Sequence, residues 1–301
     1  MRIVSLIPGA TEILCALGLQ DDIVAISHAC DWPTAILSRP RVTATCLGAD
    51  LSSYQINDKV RESFSSGRSL YTVDGELIRS LHPDLVITQE QCLVCAIDRE
   101  RAICGIDSLD LETKLLSLSA CNFVGLYRDI MSVGLATGQT KKAEGLVNQL
   151  ASRLDDIAQR TSLLSRPRVF CLSWFDPVMA AGVWITEMVH IAGGNDVFGS
   201  GNASSSPFAI DRLASQSPEF IFLMPCSFSQ ERSYREWANI RDLFPWRDLQ
   251  AVQQGQIFTL ESRLFHGLGP CMVEGVELIA SLLHPDCCSF FAQNELSRMV
   301  A

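Results

Sequence analysis

Two short apolar runs organise this chain of 301 residues. Ile3, Val4, Leu6 and Ile7 form the first, between Arg2 and Pro8, and Val169, Phe170, Cys171 and Leu172 form the second, between Arg168 and Ser173-Trp174. Apolar runs this short, without polar alternation, mark strands buried on both faces of a parallel sheet. Each is followed by a Thr-Glu helix start that runs into glycine at the same spacing: Thr11-Glu12 with Gly18, and Thr186-Glu187 with Gly193. A second strand repeats as well, His82-Pro-Asp-Leu-Val-Ile-Thr88 in the first half and Ser217-Pro-Glu-Phe-Ile-Phe-Leu223 in the second. The pattern predicts two related α/β lobes, 1–125 and 161–286, with a cleft between them where a small ligand would bind.

Between the lobes, from about Leu126 to about Ala158, apolar residues recur at helical spacing while Lys141, Lys142, Arg153 and Asp156 take the other face. The spacing predicts one long helix over 126–160, roughly 50 Å long at 1.5 Å per residue. Gly134, Gly138 and Gly145 weaken it, each by up to about 1 kcal/mol relative to alanine, so packing has to hold it. Ser165-Arg-Pro167 then launches the second lobe.

At 48% apolar and 19% charged, the chain can bury two ordinary cores without metals or disulfides. A net charge of -10 with no basic stripe excludes nucleic acid as a partner. No apolar stretch is long enough to cross a membrane, so no membrane insertion is expected. The first strand begins at once, without a leader, and twelve cysteines read as thiols. The expected location is therefore the cytoplasm, or the periplasm if an upstream signal is missing.

Several segments in fixed order carry a family resemblance: Ile3-Val-Ser-Leu-Ile-Pro-Gly-Ala-Thr-Glu12 with Ala16-Leu-Gly18, Ser27-His-Ala-Cys-Asp-Trp-Pro33, Pro83-Asp-Leu-Val-Ile-Thr88, Asp176-Pro177, Trp184 and Ala192-Gly-Gly194. To about Asp286 the chain resembles the class III periplasmic binding proteins, in the branch that takes cobalamin, haem and siderophores. Within that branch it is similar to the cobalamin binders, and to a cytosolic-looking subgroup of them at His-x-Cys-Asp-aromatic-Pro and Gln-x-x-Cys-x-Val-Cys-Ala. The resemblance implies two Rossmann-like lobes joined by one long helix. The residues after His284-Pro-Asp286 have no counterpart in the pattern, so 287–301 reads as a tail docked through Phe290 and Phe291.

The resemblance also implies a set of ligand-binding residues at strand ends. In the first lobe these are Pro8 and Gly9, then His28, Cys30, Asp31 and Trp32, then Cys92. The second lobe supplies Trp174, Phe175, Asp176, Trp184, Phe265 and His266. Flat aromatics suit a corrin disc because they cover its area with little loss of rotamer freedom. Taken singly, each aromatic is as well explained by packing. Trp237 and Trp246, on a peripheral helix and its exit, read as packing, and Cys15, Cys121 and Cys171 read as core.

Cys30, Cys92 and Cys95, with His28, have the ligand types for tetrahedral zinc or an iron-sulfur cluster, and a CxxC pair can equally cycle as thiols. No Gly-x-Ser-x-Gly elbow, Walker loop, dinucleotide fingerprint or His-Glu-x-x-His occurs, which favours binding over catalysis. The leading expectation is a non-enzymatic binder of cobalamin or a related corrinoid or tetrapyrrole, acting as carrier, store or transporter-type substrate-binding protein. Its partner would be an ABC importer or a corrinoid-using enzyme, and His28 or His266 would be the better nitrogen ligands to the cobalt. The alternative is a metal-binding or thiol-redox protein built on His28, Cys30, Cys92 and Cys95.

Overall fold

The computed structural model describes residues 1–48, 50–89, 113–182, 184–199, 206–207, 210–243, 245–290 and 297–299. Its chain divides into two compact units. The N-terminal unit holds Met1–Leu51, Asp58–Leu150 and Gly267–Pro270, and the C-terminal unit holds Ser52–Asn57, Ala151–His266 and Cys271–Ala301. Two short segments, Ser52–Asn57 and Gly267–Pro270, thus belong to a different unit from the chain on either side of them.

In the N-terminal unit, β1 (Ile3–Ser5) is followed by α1 (Pro8–Ala16), β2 (Ile23–Ile26), β3 (Thr43–Thr45), α2 (Ser53–Ser66), β4 (Tyr71–Val73), α3 (Gly75–Ser80), β5 (Leu85–Gln89) and β6 (Lys114–Leu118). Four of the strands form a parallel sheet in the order β2-β1-β5-β6, while β3 and β4 make a separate antiparallel pair. Pro8 occupies the first turn of α1, where its fixed φ suits the helix and its missing N–H costs nothing.

Two helices follow, α4 (Phe123–Ala136) and α5 (Thr140–Thr161), in place of the single helix expected over 126–160. The reason is Gly138. With φ at 69° it ends α4 through its own N–H to Leu135 O and that of Gln139 to Gly134 O, the paired bonds of a Schellman stop. The two helices then approach closely, since a Cβ at Gly134 would lie 2.4 Å from that of Ala143.

The C-terminal unit continues with β7 (Arg168–Trp174), β8 (Met179–Ala180), α6 (Trp184–Ile191), β9 (Asn195–Asp196), β10 (Ser206–Pro207), α7 (Asp211–Gln216), β11 (Phe220–Leu223), α8 (Gln230–Ile240), α9 (Gln250–Gln253), β12 (Ile257–Leu260), α10 (Arg263–His266), α11 (Met272–Leu283) and β13 (Ser297–Met299). The sheet runs β10-β8-β7-β11-β12-β13, with β9 also on β7; β7, β11 and β12 are parallel. Phe170, Leu172, Ile221, Leu223 and Trp237 belong to its core, where Trp237 and Trp246 meet edge to face at 5.2 Å, as packing residues should. Ile56, from the first turn of α2, packs on that same core, which is why Ser52–Asn57 belong to this unit.

The internal repeat is visible in the hydrogen bonds at the strand starts, although the carbonyls that accept from the two arginine Nε atoms differ by one position. Arg2 N–H donates to Asp84 Oδ2 at 2.6 Å and its Nε to Leu81 O; Arg168 N–H donates to Glu219 Oε2 at 2.9 Å and its Nε to Ser217 O. His82 and Ser217, each directly before a proline, both take left-handed backbone with φ of 42° and 45°. Gly18 and Gly193 stop α1 and α6 in the same way, at φ of 77° and 83°.

The tail departs from the expectation. Cys288 is buried, Phe290 N–H donates to Ser281 Oγ at 3.3 Å, the Arg160 guanidinium lies 5.3 Å from the Phe290 ring, and β13 pairs antiparallel with β12. Phe290 docks as expected and Phe291 lies outside the described residues; the end of the chain adds a strand to the sheet. Cys171 is core, but Cys15 and Cys121 are only half-buried.

Candidate functional site

The N-terminal unit presents the C-terminal ends of β1 and β2, the place where open parallel sheets offer ligand sites. Pro8 and Gly9 open α1 there, and Gly9 is hemmed in: a Cβ would lie 2.3 Å from Gly267 O and 2.5 Å from Leu268 O. Leu268 itself has a φ of 50°, strained for a branched side chain.

After β2 comes the loop that carries His28, Cys30, Asp31 and Trp32. Arg41 fixes its base, donating from Nη1 to Ser27 O at 2.9 Å and to His28 O at 2.7 Å. The His28 ring stacks on Tyr71 with centroids 5.3 Å apart, and its Nδ1 lies 2.7 Å from Thr43 Oγ1, which also accepts the His28 backbone N–H at 2.8 Å. Burial, with the Arg41 charge second, holds this imidazole below its usual pKa, so it is neutral near pH 7. Asp31 and Trp32 project outward, Trp32 with 42% of its surface exposed.

Cys30 points the other way. It is fully buried, with Sγ 3.1 Å from Thr11 Oγ1 and 3.2 Å from Ser27 Oγ, while Thr11 donates on to Ser5 Oγ at 2.8 Å. Burial raises its pKa, partly offset by the Ser27 and Thr11 hydroxyls. Among the described residues, no three His, Cys, Asp or Glu side chains gather to hold a metal ion. Cys92 and Cys95 lie outside the described residues.

In the C-terminal unit, Trp174 ends β7 half-buried, its Nε1–H shared between Ser53 O at 3.2 Å and Asp176 O at 3.1 Å. Its ring lies 5.1 Å from Phe228, over which the Arg232 guanidinium sits at 3.6 Å. Asp176 is exposed. Phe175 and Phe265 are buried almost completely, so their rings serve packing and offer no face to a ligand.

Trp184 is half-buried and donates from Nε1 to Phe265 O at 2.6 Å. His266 Nε2 lies 2.6 Å from Met224 O. A carbonyl only accepts, so Nε2 donates in this contact and Nδ1 is the ring nitrogen that could offer a lone pair. Ser227 N–H donates to Ser262 Oγ at 3.0 Å, which ties the loop after β11 to the turn after β12.

The arrangement places Pro8, Gly9, His28, Asp31 and Trp32 in one unit and Trp174, Asp176, Trp184 and His266 in the other. Each set joins aromatic or imidazole surface to an exposed carboxylate, which suits a large, flat, mostly apolar ligand with polar substituents. Sequence reasoning missed Arg41, Thr43, Tyr71, Ser53, Phe228 and Arg232, the residues that hold these side chains. Phe228 and Arg232 alone carried a signal, since they follow β11, whose strand pattern repeats that of β5.

The sequence pattern of the periplasmic binding protein family matches residues 3–264. A vitamin B12-binding protein of Vibrio cholerae is 25% identical across 94% of this chain and 88% of its own length. An uncharacterised ABC transporter substrate-binding lipoprotein of Bacillus subtilis is 25% identical across 95% and 80%. The periplasmic haem-binding protein of Roseiflexus in its apo form superposes with a TM-score of 0.71 at 20% identity, covering 94% of this chain and 98% of that one. These relatives, named as a lipoprotein and a periplasmic protein, lend no support to the cytoplasmic location expected from the sequence. No described helix is long and apolar enough to cross a membrane. The chain belongs to the periplasmic binding protein family, with the class III fold.

Proposed function

We propose that the chain is a non-enzymatic substrate-binding protein for cobalamin or a related corrinoid or tetrapyrrole, which it supplies to an ABC importer. The observation that carries this reading is the trio Trp32, Trp174 and Trp184, the first in the loop after β2, the second at the C-terminal end of β7 and the third at the start of α6, none of them buried. Indole faces in those places match the broad apolar area of a macrocycle. The vitamin B12-binding relatives, similar over nearly the whole chain, support the corrinoid, and the haem-binding neighbour supports the wider tetrapyrrole class.

Titration of the purified chain with cyanocobalamin, hydroxocobalamin and haemin, followed by absorbance and calorimetry, tests it. One-to-one binding of one of these with micromolar or tighter affinity is expected. A spectral shift with hydroxocobalamin or haemin that disappears in His266→Ala would identify Nδ1 of His266 as the axial ligand. Absence of binding by all three would overturn the reading.

A further inference from the structure

Trp174 is held from α8, an element that does not carry it. Its Nε1–H is shared between Ser53 O at 3.2 Å and Asp176 O at 3.1 Å, so neither bond alone fixes the ring. Ser53 is buried, and its backbone N–H and its hydroxyl donate to the two carboxylate oxygens of Glu236 at 3.1 and 3.0 Å. The start of α2 is closed separately by a capping box: Ser52 N–H donates to Gln55 Oε1 at 2.9 Å, and Gln55 N–H donates to Ser52 Oγ at 3.3 Å. The fork from Glu236 therefore adds a hold on Ser53 itself, and with it on the carbonyl that receives the indole. One turn before Glu236, on the same side of α8, stands Arg232. Its guanidinium lies 3.6 Å from the Phe228 ring centroid, and Phe228 meets the Trp174 ring at 5.1 Å. Arg232 N–H in turn donates to Ser229 Oγ at the helix start, at 3.2 Å. All of these residues lie in the C-terminal unit.

We propose that Glu236 and Arg232 are positioning residues for ligand binding: Glu236 fixes the N–H edge of Trp174 through Ser53, and Arg232 backs its ring through Phe228. The assignment rests on the proposed place of Trp174 in the ligand surface. With its edge and its ring both held in the free protein, the half-buried indole loses little freedom when a macrocycle stacks on it, and that preorganisation is what the two residues contribute. Removing the Glu236 carboxylate leaves a buried N–H and hydroxyl of Ser53 without their acceptor. The Ser53 carbonyl then shifts, and Asp176 O remains as the acceptor for the indole.

The test uses the full chain and whichever of cyanocobalamin, hydroxocobalamin or haemin the parent binds. In calorimetric titration Glu236→Ala should weaken affinity about tenfold, and Glu236→Gln, whose side-chain oxygen still accepts from Ser53 N–H, should recover most of the loss. Arg232→Gln should weaken it about threefold. In a Trp174→Phe background there is no indole N–H to place, so Glu236→Ala should change affinity by less than about twofold there. General damage to the fold would instead lower affinity by the same factor in both backgrounds. The indole N–H signal of Trp174 in the magnetic resonance spectrum, assigned by its loss in Trp174→Phe, should shift in Glu236→Ala without any ligand. Parent protein that binds none of the three ligands would overturn the proposed function and this assignment together. Binding by the parent with equal affinity in Glu236→Ala, a loss undiminished in the Trp174→Phe background, or an unmoved indole signal would overturn the assignment alone.

Discussion

Arg153 of α5 grips Glu277 of α11 with two parallel bonds, Nε to Oε1 at 2.8 Å and Nη2 to Oε2 at 2.7 Å. Glu277 is 7% exposed, so its charge depends on this fork for most of its solvation. Glu277→Gln should lower the unfolding free energy by about 1–3 kcal/mol, measured by urea denaturation. A loss under about 0.5 kcal/mol would mean that the pair behaves like an exposed one.

Gly138 and Gly145 make opposite predictions although neither has an atom within 4 Å of where a Cβ would stand. Gly138 has positive φ, so Gly138→Ala should cost on the order of 1 kcal/mol in strain. Gly145 lies inside α5, so Gly145→Ala should add up to about 1 kcal/mol. Thermal melts of the two variants should move apart in opposite directions from the parent.

His28 is held below its ordinary pKa in the fold, so the unfolded chain takes up its proton first as pH falls. The fold is then bound to fewer protons than the unfolded chain, and stability declines as pH drops below about 6.5, towards the lower folded pKa. Denaturation midpoints between pH 5 and 8 should show this decline, and His28→Gln should flatten it. An unchanged slope in the variant would assign the decline to other groups.

Trp32 and Phe175 separate binding from packing. Phe175→Ala empties part of a core and should cost about 3–5 kcal/mol. Trp32→Ala should cost far less stability yet weaken cobalamin or haemin affinity by about tenfold or more in a calorimetric titration. Equal affinity in Trp32→Ala and the parent would remove Trp32 from the ligand surface.

Gly9→Ala would drive a methyl into the Gly267 and Leu268 carbonyls. Backbone cannot swing aside like a side chain, so a loss of about 1–3 kcal/mol is expected in chemical denaturation.

The repeat was legible because it is written in residue types with few substitutes: Gly18 and Gly193 at left-handed stops, and prolines after His82 and Ser217. The break at Gly138 was hidden because apolar spacing continues from Val133 and Ala136 to Ala143 as though one helix ran through, and spacing does not register one residue's φ. Strand ends told where Trp174 and Phe175 fall but not how far each is covered; both rings pack against Phe228, Phe175 buried and Trp174 half-buried, and that contact is distant in sequence. The exchanged segments, Ser52–Asn57 and Gly267–Pro270, leave no local signal at all, since their membership is decided by partners such as Glu236 and Gly9.

That exchange sets an order on biosynthesis. A ribosome releases the 116 residues from Ala151 to His266 between Leu150 and the Gly267–Pro270 loop that the N-terminal unit lacks until then. At about 5–20 residues per second the wait is roughly 6–23 s. Through that interval the nascent first unit has its sheet but not the backbone that fits against Gly9, and the piece that completes it arrives only with the late segments of the second.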